Sequence, residues 1–65
     1  MTELKYWYQT QSKNGKNAFK TQVISLARIG EKTFYKYLNQ GAPKLVISLF
    51  SQLSKLDKNL IYKNK

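Results

Sequence analysis

Lys20-Thr21-Gln22-Val23-Ile24-Ser25-Leu26-Ala27-Arg28-Ile29-Gly30-Glu31-Lys32-Thr33-Phe34-Tyr35-Lys36-Tyr37-Leu38-Asn39 is the stretch that decides the fold. From Ala18 onward, Phe19, Val23, Leu26 and Ala27 recur at helical spacing with neither Gly nor Pro before Gly30, which predicts a helix of about three turns. Gly30 interrupts it. Glu31-Lys32-Thr33 then opens a second helix carrying Phe34, Tyr37 and Leu38 on one face, with an acid in the first turn where the helix dipole favours it. Asn39-Gln40-Gly41 supplies the turn chemistry that closes it. Two registers are open for the bend. With Ile29 as its buried residue, Val23, Ala27, Ile29, Phe34 and Tyr37 fall at the apolar points, and Gly30, Glu31, Lys32, Tyr35, Lys36 and Asn39 face outward. Making Gly30 the turn glycine would put Glu31 and Lys36 into the core, so the first register is the expected one.

Beyond this pair, Pro43 suits the first turn of a third helix. Its apolar positions are Leu45, Val46, Ile47, Leu49, Phe50, Leu53 and Leu56. They span an arc of about 200°, wider than a single core contact requires. One edge would close the core; the other, Ile47 and Phe50, either meets a second copy of the chain through the 43–56 helix or is simply buried. Asp57 falls inside the apolar arc, so the helix is expected to end there, with residues 58–65 as a basic tail from which Leu60, Ile61 and Tyr62 can fold back. On the other side, residues 4–12 are rich in aromatic and strand-favouring types and run into Lys13-Asn14-Gly15-Lys16. Asn-Gly is a strong hairpin signal because both central residues of a type I′ turn need positive φ. Residues 1–17 are therefore expected to form a short β-hairpin or an extended arm, with Tyr6 and Tyr8 on one face and Trp7 on the other. The expected fold is mainly α: one domain over residues 1–65, with a three-helix core at 18–57.

At 65 residues only one core can be built. The chain has no cysteine and no histidine, so it lacks disulfides, thiolate metal sites and a base that titrates near neutrality. Twelve Lys and Arg face only Glu3, Glu31 and Asp57, a net charge of +9. Eleven of the twelve are lysine, a preference that AT-rich coding would explain, but such coding does not explain the scarcity of acids. So one-sided a charge repels itself unless a polyanion screens it, which points to phosphate backbone or anionic lipid. The first twenty residues lack the apolar run of a secretory signal, and Leu45 to Leu56 is too polar to span a bilayer, so a cytoplasmic location is expected.

Two short helices joined by a tight turn and followed by a third make the skeleton of a helix-turn-helix DNA reader. Residues 20–39, with Ile29-Gly30-Glu31-Lys32-Thr33-Phe34-Tyr35-Lys36-Tyr37-Leu38, resemble the helix-turn-helix of phage and plasmid regulators, including Cro-type repressors and small excisionases. The continuation Asn39-Gln40-Gly41-Ala42-Pro43 into an amphipathic helix is similar to the helix that comes after the recognition helix in the repressor branch. The family usually has Ala where this chain has Ile24, and Gly where it has Arg28. Ile24 would spread the two helices, and Arg28 would have to adopt the turn conformation with a β-carbon present. The resemblance implies double-stranded DNA as partner and the major groove as the place of contact, read by residues 31–39. Arg28, Lys32 and Lys36 would then lie near phosphates or guanine edges, and Tyr35 and Asn39 would contact bases, Asn because its amide pairs bidentately with adenine. Lys13, Lys16, Lys63 and Lys65 would add sequence-independent phosphate contacts.

Catalysis is not expected. Three scattered carboxylates without His or Cys offer no acid and base pair, no activated nucleophile and no phosphate-cradling glycine loop. Neither a cofactor nor a small-molecule substrate is expected. Two other classes fit the charge: a phage-encoded inhibitor that docks on an acidic surface of a host enzyme, and a cationic membrane-active peptide of the leaderless bacteriocin kind. The polar run Gln9 to Lys16 and the serine-punctuated last helix argue against the peptide. Trp7 is expected to enlarge the small core; Tyr6 and Tyr8 beside Lys5 would alternatively stack on single-stranded bases.

Overall fold

Thr2 starts the first helix by accepting the Lys5 backbone N–H on its hydroxyl at 3.1 Å. In the computed structural model, which describes residues 1–64, that helix is α1 (Glu3–Thr10). It is followed by α2 (Lys13–Ala27), α3 (Glu31–Gln40) and α4 (Lys44–Ser54). The described residues contain no strand, only an isolated antiparallel bridge between Thr2 and Asn64. The mainly α expectation therefore holds at the level of class, with four helices where three were expected.

The hairpin or arm expected over residues 1–17 is replaced by α1 and the start of α2. Ser12 is the reason at the turn: its side chain accepts the Gly15 N–H at 3.1 Å, so Asn14-Gly15 lies in the first turn of a capped helix instead of a positive-φ hairpin loop. The aromatics consequently follow helical spacing, not alternation. Tyr8 is buried, Trp7 is half-buried with its ring edge-on to Phe19 at 5.0 Å, and Tyr6 is exposed.

At the bend, Arg28 takes the left-handed conformation (φ 55, ψ 49), and its N–H and that of Ile29 both reach back to the Ile24 carbonyl. This is a helix end normally given to glycine. Ile24 and Ile29 are half-buried against the core, as are Ala27 and Tyr37. Leu26, expected on the apolar face, is instead 61% exposed near the C-terminal end of α2, although it stands three and seven residues from the buried Val23 and Phe19. Pro43 stands one position before α4, as its cap, and the Ile47 N–H bonds to its carbonyl at 2.9 Å.

Four helices converge on Leu4 and Tyr8, Phe19 and Val23, Phe34 and Leu38, and Val46 and Phe50, and Ile61 completes the core. Phe19 is its hub, stacked on Phe50 at 5.7 Å and edge-on to Phe34 at 6.0 Å. Phe50 is wholly buried, which removes it from any contact with a second copy; Leu45, at 67% exposure, is the apolar residue of α4 that faces out. The segment 58–64 is no free tail. Its Ile61 and Lys63 carbonyls accept the Leu4 and Glu3 N–H groups at 2.9 Å each, satisfying donors that the first turn of α1 leaves open. Ile61 is fully buried, the Tyr62 hydroxyl donates to the Tyr37 carbonyl, and Leu60 remains exposed.

Candidate nucleic-acid interface

The side chains of α3 divide cleanly. Phe34 and Leu38 are fully buried, whereas Lys32, Tyr35, Lys36 and Asn39, spaced at i, i+3, i+4 and i+7, share the opposite, exposed face. Arg28 is exposed at the bend just before them. Glu31 is the one acid of this helix, and it pairs with Lys20 of α2 at 3.4 Å, so its charge is partly offset within the fold.

Two of the expected base-contacting residues are already engaged. The Tyr35 ring lies edge-on to Phe34 at 5.3 Å, with the Lys20 ammonium 5.8 Å from its centroid, so the ring is held from below by the core and from the side by a cation. Next to it, Tyr8 has its hydroxyl pushed up from 10.0 to about 12, first by burial and then by the Tyr35 hydroxyl and the charges of Tyr35 and Glu31. Asn39 donates from Nδ2 to the Tyr35 carbonyl at 2.9 Å, and its Oδ1 accepts from the Lys5 ammonium, which reaches across from α1. Lys5, Asn39, Met1, Thr2 and Asn64 line a shallow cleft of about 390 Å³ at the C-terminal end of α3.

The accessory lysines are scattered. Lys13 is exposed at the start of α2; Lys16 is half-buried with its ammonium 5.9 Å from the Tyr8 ring centroid; Lys63 is exposed on the C-terminal segment. Lys65 lies outside the described residues. Sequence reasoning missed Lys20 and Lys5. Lys13, Lys16 and Lys20 stand at i, i+3 and i+7, so reading residues 13–20 as helix would have found Lys20. No local pattern announces Lys5, whose contact with Asn39 spans 34 residues.

Among the described residues no three His, Cys, Asp or Glu side chains gather into a metal-binding group, and no helix is long and apolar enough to cross a membrane. Comparisons of the chain with protein-family models, curated proteins and solved structures give no match, so the reading of this face rests on its own geometry.

Proposed function

We propose that this chain is a small basic DNA-binding protein, a helix-turn-helix regulator or excisionase-like accessory factor, that lays α3 in the major groove of duplex DNA. The observation that carries this reading is the polar face of α3: Lys32, Tyr35, Lys36 and Asn39 exposed together on a helix whose other face is sealed by Phe34 and Leu38, with Arg28 exposed at the bend just before it. The left-handed Arg28 supports it too, because that conformation falls where the resembling family usually has glycine. Arg28, Lys32 and Lys36 neutralise phosphates, which fixes register; Tyr35 and Asn39 meet base edges, which gives preference. The net charge of +9 supplies the sequence-independent part of the affinity. With neither His nor Cys on the chain, a binding role fits its chemistry better than catalysis. The aromatics favour DNA over the membrane-active alternative, since Trp7 and Tyr8 are spent on the core and not left for a lipid interface.

The test is a mobility shift with duplex DNA from the gene's own upstream region at two salt concentrations. Binding should weaken steeply as salt rises. Tyr35→Ala with Asn39→Ala should abolish sequence preference, each lost base contact removing about 1–3 kcal/mol of discrimination, while non-specific binding stays nearly intact. Unaltered preference in the double variant would rule out α3 as the reading element.

A further inference from the structure

We infer that Lys5 is a positioning residue for base recognition, holding the Asn39 side-chain amide in one orientation so that it presents a fixed acceptor and donor to an adenine. The inference rests on the reading of α3 as the recognition helix, and it adds a residue from a different helix to that site. An ammonium group only donates and a backbone carbonyl only accepts. Lys5 Nζ stands at one atom of the Asn39 amide and the Tyr35 carbonyl at the other, 2.9 Å away. The amide oxygen must therefore face Lys5 and the amide nitrogen must face Tyr35. Turning the amide over would set N–H against ammonium and oxygen against oxygen, losing both bonds at once.

The lock leaves recognition capacity in place. An amide oxygen accepts two hydrogen bonds and an amide nitrogen donates two. The Lys5 and Tyr35 contacts use one of each, leaving one acceptor and one donor. That pair matches the N6–H donor and N7 acceptor of adenine, and it does not match the two acceptors, O6 and N7, of guanine. Asn39 is exposed, so without Lys5 its amide would have to be ordered at the moment of binding. Lys5 itself is half-buried on α1 beside the cleft that Thr2, Asn39 and Asn64 line, and α1 is tied down by the carbonyls of Ile61 and Lys63. The donor is thus mounted on the body of the fold and not on the helix it serves.

The experiment compares the full chain with Lys5→Met, Lys5→Arg and Asn39→Ala, using duplexes selected by the wild type from a randomised pool. Each protein is titrated against the best duplex and against the same duplex changed from A·T to G·C at the position where Asn39→Ala loses preference. Lys5→Met should lower the ratio of the two affinities about threefold to tenfold, the range expected when one side chain must be ordered on binding. Lys5→Arg, which keeps a donor, should restore most of it. A uniform loss across both duplexes would overturn the inference and make Lys5 an ordinary phosphate contact. A DNA-free measurement separates the geometry from the function: the two Asn39 side-chain NH2 resonances should stand away from the values of a freely exposed asparagine in the wild type and should shift toward those values in Lys5→Met. Unchanged resonances overturn the lock itself. If the wild type selects no sequence, the reading of α3 fails and the recognition role of Lys5 with it, while the amide resonances still report on the Lys5 contact.

Discussion

Arg28 carries a β-carbon in a conformation that costs an L-residue roughly 1 kcal/mol and costs glycine almost nothing. Arg28→Gly should therefore raise stability by about 1 kcal/mol, or about 5 °C in thermal midpoint for a domain this small, read by circular dichroism. Under the proposed role, the same change should weaken DNA binding at low salt by removing a charge beside α3. A drop in midpoint would show that the guanidinium has a structural role. Lys55, at φ 63, is the control: its replacement by Gly removes the same charge away from α3 and should stabilise with a smaller loss in binding. The conformation at position 28 is legible only through the resemblance, which implies the turn conformation there because the resembling family usually has Gly at that position. Burial of Tyr8 is not, since its neighbours favour a strand. Its hydroxyl and that of Tyr62 are both pushed up to about 12, in each case chiefly by burial. Because the folded values lie above the ordinary 10.0, the stabilisation they carry is complete below that pH and is lost as pH rises toward 12. In an alkaline titration of Tyr→Phe variants, Tyr8 and Tyr62 should resist ionisation until the helical signal begins to fall. Ionisation of either near pH 10 in the still-folded protein would contradict this.

Helix α2 shows how an element overrides a local signal. Asn14-Gly15 favours a hairpin turn when its neighbours are indifferent. Here Ser12 caps a helix whose Phe19 and Val23 are anchored in the core, and that anchoring decides the backbone. A β-carbon at Gly15 would meet Ser12 Oγ at 3.4 Å and Gln11 Cβ at 3.5 Å, ordinary contact distances, and Gly15 sits in helical backbone. Gly15→Ala should accordingly stabilise the protein by up to about 1 kcal/mol, whereas a hairpin with positive φ at this position would be damaged by it. Ser12→Ala should cost about 1 kcal/mol through loss of the cap. Thermal melts of the two variants should shift in opposite directions. The polar face of α3 is readable from spacing alone because Phe34 and Leu38 are four residues apart and the lysines fall outside their arc. On α2 spacing alone misleads at Leu26, which shares the stripe of Phe19 and Val23 and is nevertheless exposed.

The whole molecule depends on a segment that composition makes look expendable. Residues 58–64 contribute the buried Ile61, two carbonyls to the first turn of α1 and the Tyr62 hydroxyl to α3. Ile61→Ala should cost about 2–5 kcal/mol, a large share of the roughly 3–10 kcal/mol available to a chain of this length. Urea denaturation should show the midpoint collapse, and a change below about 1 kcal/mol would mean that the segment is not part of the core. What the sequence alone determined was helical class, the two-helix bend around Ile29, the apolar and cationic division of α3, and an excess of positive charge. Each is a property of spacing or composition, carried by residues within a few turns of one another. What only the tertiary structure decided was α1 in place of a hairpin, the burial of Phe50, the docking of Ile61 and the meeting of Lys5 with Asn39. Those depend on which distant surfaces remain to be covered once the helices have packed, and no local pattern encodes that.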